Sequence, residues 1–192
     1  MILVVDLNFK KNSLGLFEFV SPIVAIAEEF DECFVKHYLD VKQEDLDKCS
    51  SIVLSGTALR NNVTLTQSDR FEWVKNCNRP VLGICAGMQT IGVVFGGPLE
   101  LCLEIGMTQI TTLKDNPLFS STFKAYSLHN YSLHLSPEFD ALAESENCVQ
   151  AMKHKQKDIY GVLFHPEVRN QEILQRFIRA FHSTEDLKTH TS

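Results

Sequence analysis

The chemistry in this 192-residue chain is concentrated in a thiol set between two glycines, where a buried strand meets a helix. In PVLGICAGMQTIG, Pro80 to Gly92, the apolar run Val81–Ile84 passes into a helix-forming run through Gly83-Ile84-Cys85-Ala86-Gly87. Glycines two residues before and after the cysteine let strand and helix pass closely, and the sharp turn between them pushes the side chain at its apex out at the sheet's C-terminal edge. The N-terminus of the following helix then lies under the sulfur. Its unpaired N–H groups and its dipole favour both a thiolate and an oxyanion, and the N–H of Ala86 is the natural first oxyanion donor. Taken alone, the pattern fits a buried cysteine beside a tight turn equally well.

A second segment, IYGVLFHPEV, Ile159 to Val168, is a buried strand that delivers His165 and Glu167 at its end. Residues two apart on an extended chain point to the same side with Cα atoms about 7 Å apart, a gap that imidazole and carboxylate can bridge, and Pro166 fixes the backbone between them. Glu167 can then hold His165 in the tautomer that accepts a proton from sulfur. Alone, such a pair is more often a surface ion pair. Its meaning comes from combination with Cys85, as nucleophile, base and orienter.

These groups need a scaffold that brings distant segments to one edge. Ile2–Val5, Ile52–Leu54 and Val81–Ile84 lack polar alternation, as strands buried on both faces of a parallel sheet do. Phe17–Phe30 reads as a helix despite Pro22, and Glu32–Tyr38 as a strand, giving a βαβ beginning. Ser68 is placed to cap a helix running to Asn76, and Ala86–Phe95 forms a helix stopped by Gly96-Gly97. From Pro98 to about Leu135 the pattern changes to short Thr- and Ser-rich strands with a turn at Asn116-Pro117. Val149–Lys153 and Ile159–Phe164 suggest a hairpin, and Gln171–His182 a closing amphipathic helix. The expectation is one α/β domain over residues 1–183, a three-layer, mostly parallel sheet flanked by helices (flavodoxin-like), with a small antiparallel extension at 98–135 and a polar tail at 184–192.

Composition excludes several classes of function. A net charge of −6 without a basic block argues against nucleic acid or an anionic membrane as partner. The apolar start MILVVDL is too short for a signal peptide and no run approaches a membrane span, so a cytoplasmic protein is expected. Cys33, Cys49, Cys77, Cys85, Cys102 and Cys148 form no CxxC pair, and His37, His134, His154, His182 and His190 show no metal-ligand spacing. No metal, cofactor or nucleotide is expected on this chain, and Lys153-His154-Lys155-Gln156-Lys157 reads as a solvated turn.

GICAGMQ and GVLFHPEV, separated by a β-rich insertion, resemble the two active-site segments of class I glutamine amidotransferases. The resemblance runs through most of the chain, with its core from Ser51 to Phe181. It implies that Cys85 attacks the side-chain carboxamide of glutamine, that His165 activates the thiol and protonates departing ammonia, and that Glu167 orients the imidazole. It further implies substrate contacts from Gln89 and His129, and a second oxyanion donor from the loop Ser55-Gly56-Thr57-Ala58, so that Gly56, Thr57 and Ala86 form the oxyanion hole. Thr57 stands where the family usually has glycine, and a β-branched residue resists positive φ, so its peptide is expected to be turned away until a ligand or partner arrives. Leu128, Tyr131 and Leu163 also depart from the pattern.

Within the family, the short length and the phrase AMKHKQKDIYGVLFHPEV are most similar to free-standing glutaminase subunits of two-subunit GMP synthases, which implies a separate ATP-dependent synthetase as partner. A glutaminase of another pathway, a γ-glutamyl hydrolase, and a non-catalytic regulatory subunit on the same fold remain as alternatives.

Overall fold

The computed structural model describes residues 1–182, and the 184–192 tail lies outside them. Its centre is a nine-stranded sheet formed by β1 (Ile2–Asp6), β2 (Cys33–His37), β3 (Ser51–Leu54), β4 (Val81–Ile84), β5 (Leu99–Thr112), β6 (Phe123–Leu133), β7 (Phe139–Glu144), β8 (Val149–His154) and β9 (Ile159–Val162). The order across it is β2-β1-β3-β4-β9-β8-β7-β5-β6, and between the strands run the short helices α2 (Gln43–Lys48), α3 (Val63–Thr66) and α4 (Trp73–Asn76) besides longer ones. Strands β2, β1, β3, β4 and β9 are parallel neighbours, and every pairing from β9 outward to β6 is antiparallel.

The two-residue period of the strands divides the core. Ile2 and Val4 of β1, Val53 of β3, and Leu82 and Ile84 of β4 pack on one face with α1 (Ser21–Ala27) and α6 (Gln171–His182), through Ile23, Ile26, Leu174, Phe177 and Ile178. Leu3, Val5, Ile52, Leu54 and Val81 pack on the other with Phe71, Met88 and Ile91, of which the last two belong to α5 (Ala86–Val94). Apolar side chains on both faces of the inner strands explain why those strands show no polar alternation in sequence.

Three readings change in detail, and one strand has no counterpart among them. The helix expected over 17–30 is a π-helical turn, Leu16–Val20, followed by α1, with Pro22 in the first turn of α1, where its missing N–H costs nothing. Ser68 does not cap a long helix. It opens a 3₁₀ turn, Ser68–Phe71, that leads to a short helix Trp73–Asn76. The strands of the 98–135 segment are not short pieces but a long hairpin of 14 and 11 residues, interrupted by a bulge between Leu101 and Glu104. β7 escapes a reading by pattern, because FDALAE has little strand propensity and owes its conformation to pairing with β5 and β8. No helix among the described residues is long and apolar enough to cross a membrane.

Candidate active site

Cys85 follows β4 directly and is the N-cap residue of α5, at φ 47° and ψ −102°. It is one of three non-glycine residues with positive φ among the described residues, a conformation that stores on the order of 1–3 kcal/mol and is kept only where the surroundings enforce it. The enforcement is visible. The Cys85 N–H donates to the Val162 carbonyl at 2.8 Å, joining the turn to β9. A Cβ on Gly83 would lie 2.5 Å from the Gly87 carbonyl carbon, and one on Gly87 would lie 2.5 Å from the Leu54 oxygen. The glycines therefore permit the close crossing of β4, α5 and β3 that the sequence pattern predicts. The first bond of the helix runs from the Gln89 N–H to the Cys85 carbonyl at 3.0 Å, so the N–H groups of Ala86, Gly87 and Met88 precede it at the positive end of the helix dipole.

β9 is the neighbour of β4, and the chain continues from it through Leu163 and Phe164 to His165. The His165 N–H donates to the Tyr126 carbonyl of β6 at 2.8 Å, which ties the base to the antiparallel extension. The His165 Nδ1 meets Glu167 Oε1 at 2.7 Å, and both residues are buried, at 1% and 2% exposure. A carboxylate can only accept, so this bond places the ring proton on Nδ1 and leaves Nε2 as the basic nitrogen. That Nε2 is buried and has no hydrogen-bond partner, while the Cys85 Sγ contacts the Leu128 carbonyl at 3.5 Å. Burial pulls the imidazole toward its neutral form, but the nearby Cys85 sulfur and the Glu167 carboxylate outweigh it and hold His165 well above its ordinary value. The electrostatics thus favour a protonated imidazole beside the Cys85 sulfur, which also touches the Leu128 carbonyl. By contrast, burial pushes Cys33 and Cys49 up to about 11 and Cys148 up to about 12, which leaves them poor nucleophiles at neutral pH.

Gly56 and Thr57 follow β3 and reach the same edge. A Cβ on Gly56 would stand 2.6 Å from His165 Cε1, so the imidazole occupies the space that the glycine leaves. Thr57 is buried at 4% exposure, donates its hydroxyl to the Asn61 carbonyl at 3.0 Å and does not have positive φ. Two aromatic residues that sequence reasoning missed flank the base: the rings of Phe19 and Tyr126 have centroids 5.7 Å and 6.5 Å from that of His165. Their only signal in sequence is that of ordinary core residues.

Gln89 and His129 are engaged inside the protein. The Gln89 side-chain amide donates to the Tyr131 carbonyl at 2.8 Å, joining α5 to β6. His129 is 1% exposed, with Nδ1 at 3.1 Å from the Cys102 carbonyl and Nε2 at 3.1 Å from Glu104 Oε2, so neither ring nitrogen is left for a substrate. Burial outweighs the Glu104 carboxylate and holds His129 below its ordinary value. Potential metal ligands gather here: donor atoms of Glu104, His129 and Cys148 lie within 4.8 Å of one another.

Comparison with known proteins agrees with this geometry. The model of the family Glutamine amidotransferase class-I matches residues 21–183. The glutamine-hydrolysing GMP synthase subunit of Methanocaldococcus jannaschii is 37% identical over 133 residues, 62% of this chain and 71% of that protein. Its counterpart in Methanococcus maripaludis is 32% identical over 161 residues, 74% of this chain and 85% of its own. A solved structure from Thermoplasma acidophilum, described as a candidate GMP synthase subunit, superposes with a TM-score of 0.84 at 26% identity, covering 98% of this chain and 97% of the other. A cysteine elbow, a carboxylate-bound histidine on the neighbouring strand and a family match over most of the chain lead to one statement: this protein belongs to the class I glutamine amidotransferases.

Proposed function

We propose that this chain is the glutamine-hydrolysing subunit of a two-subunit GMP synthase, releasing ammonia from glutamine and passing it to a separate ATP-dependent synthetase. The observation that carries the chemistry is the arrival of Cys85 and the 2.7 Å His165–Glu167 pair at the carboxyl ends of the adjacent strands β4 and β9. The choice of GMP synthase rests on the relatives of that name.

In this reading His165 Nε2 takes the thiol proton and Sγ attacks the carboxamide carbon of glutamine. The oxyanion is received by the N–H of Ala86 and by the Gly56–Thr57 peptide. Collapse breaks the C–N bond, ammonia leaves with the proton from His165, and a γ-glutamyl thioester remains. Water, deprotonated by Nε2, then attacks the thioester, and glutamate departs as the thiol is restored. Glu167 keeps Nε2 aimed at sulfur throughout.

Two features favour a subunit that is slow by itself. Cys85 is 4% exposed, and its sulfur also lies against the Leu128 carbonyl at 3.5 Å. Binding of the synthetase over this edge would open the sulfur to glutamine. We place the protein in the cytoplasm, and its six free cysteines suit a reducing compartment. We also take residues 1–183 as a single glutaminase domain.

The test is glutamine-dependent GMP formation by the synthetase with and without this chain, together with intact-mass analysis after 6-diazo-5-oxo-L-norleucine. A single adduct on wild type and none on Cys85→Ser, with glutamine supporting GMP formation only when both proteins are present, is the expected result. An adduct without coupling would remove the GMP assignment. No adduct even with the synthetase present would remove the glutaminase reading.

A further inference from the structure

The antiparallel extension carries a second cluster of ligating side chains that glutamine hydrolysis does not use. Cys102 and Glu104 come from β5, His129 from β6, and Cys148 from the turn between β7 and β8. Donor atoms of Glu104, His129 and Cys148 all lie within 4.8 Å of one another, at exposures of 7%, 1% and 9%. The Cys102 and Cys148 side chains interact, which brings a further thiol beside Cys148, outside the three donors that lie within 4.8 Å of one another.

The hydrogen bonds of His129 point to a cation. Nδ1 faces the Cys102 carbonyl and Nε2 faces Glu104 Oε2, each at 3.1 Å, and both partners can only accept. A neutral imidazole has one N–H, so one of these two contacts sets a nitrogen lone pair against an oxygen lone pair. The conflict is relieved by a positive charge between the groups. With Nδ1–H given to the Cys102 carbonyl, the Nε2 lone pair, the Glu104 oxygen and the Cys148 sulfur lie within 4.8 Å of one another, and these are donor types that suit a zinc-type ion. Ser145 and Asn147 donate to Glu104 Oε1 at 2.8 and 2.9 Å and orient the carboxylate as a ligand is oriented. The Gln150 amide donates to Oε2 at 2.6 Å and to Cys148 Sγ at 3.2 Å, so it stands where an ion would sit and must withdraw on binding. A groove of about 510 Å³ whose lining includes Glu100, Glu144, Glu146 and Cys148 gives the cluster an acidic approach from solvent.

We propose that Glu104, His129 and Cys148, completed by Cys102, form a structural site for a divalent metal ion of the zinc class. Tetrahedral ligands at about 2.0–2.3 Å from zinc sit roughly 3.3–3.8 Å apart, so the donors close in by about 1 Å on binding. Binding displaces the thiol protons to solvent and joins β5, β6 and the β7–β8 turn through one ion. The sequence hides the site because its ligands come from three separate elements without a short repeat. The inference is independent of the glutaminase reading.

The test uses the full chain without a polyhistidine tag, stripped with chelator and then loaded with Zn²⁺ or Co²⁺. About one zinc per chain should survive gel filtration, and Co²⁺ should give a near-ultraviolet thiolate-to-cobalt band. Both should be lost in Cys148→Ser and in His129→Gln, and both should persist in Cys85→Ser. Cys102→Ser, which changes a half-buried position, serves if His129→Gln fails to fold. Substoichiometric metal, a cobalt band undiminished in Cys148→Ser, or metal lost from Cys85→Ser instead would overturn the proposal and leave the cluster as a hydrogen-bonded network.

Discussion

Gly56→Ala tests whether the position of the imidazole, and not its presence alone, sets the rate. The new Cβ would lie 2.6 Å from His165 Cε1 and 3.2 Å from Nδ1, so the ring must give by about 0.8 Å to reach an ordinary 3.4 Å contact. It has little freedom to do so without disturbing its own bonds. Phe19 and Tyr126 flank it, its Nδ1 is held by Glu167 at 2.7 Å, and its backbone N–H is held by Tyr126. A misplacement near 1 Å at reacting groups costs roughly 100-fold in rate, and overpacking of this kind costs about 1–3 kcal/mol of stability. We therefore expect kcat for glutamine hydrolysis in the synthetase complex to fall about 100-fold. The variant should remain folded by circular dichroism, and synthesis supported by ammonium should be unchanged. The assay is coupled glutamate release, with thermal melting alongside. A folded Gly56→Ala variant with wild-type kcat would refute the reasoning, because it would mean that the loop yields and the ring does not.

Three further expectations concern the same edge. Cys85→Gly should abolish glutamine hydrolysis yet be about 1 kcal/mol more stable than Cys85→Ala in denaturant titration, since glycine adopts φ 47° without strain; equal stability would show that the elbow stores none. Thr57→Gly should raise partner-independent glutamate release severalfold, bounded by the ~100–1000-fold that one oxyanion donor is worth, and no rise in a folded variant would remove Thr57 as the cause of a slow free subunit. The raised His165 pKa fixes a pH window. Stabilisation from its pairing is fully present below the unfolded value of 6.5 and is lost as pH rises through the higher folded value, so the stability gap between wild type and Glu167→Gln should narrow in that alkaline range. A gap that widens with pH would show the sign to be wrong.

The parts of the fold that sequence revealed are those where local and tertiary forces agree. Val81–Ile84 is apolar at every position except Gly83 because both of its faces are covered, and α6 is amphipathic because it covers one face of the sheet. Both are readable from periodicity alone. β7 is hidden because its partners, not its composition, make it a strand. The break at Val20 is hidden because a π-helical turn differs from an α-helix in its hydrogen bonding and not in the residue types it admits. At the candidate site, the spacing Gly83-x-Cys85-x-Gly87 and the two-residue step from His165 to Glu167 are backbone constraints and therefore visible. The aromatic walls at Phe19 and Tyr126 are not, since any core position supplies an aromatic residue.

The positions at which this chain departs from the family pattern differ in consequence, and the structure separates them. Leu163 has no exposed surface and packs in the core cluster with Met88 and Met152, on the face of the sheet opposite to Phe164, so its side chain fills volume and is not placed to meet substrate. At Tyr131 the contact that matters to α5 is made by the backbone carbonyl, which accepts from Gln89 whatever side chain stands there. Leu128 likewise meets the Cys85 sulfur through its carbonyl. Each of these substitutions leaves the elbow and the base where they are. Thr57 is different, because the group at issue is its own peptide N–H, and the side chain binds the Asn61 carbonyl and fixes the backbone away from positive φ. A threonine at this position ties its own peptide to the loop 57–61. Any partner that moves this loop would then move that peptide, which is the arrangement a glutaminase needs if it is to release ammonia only where an acceptor waits.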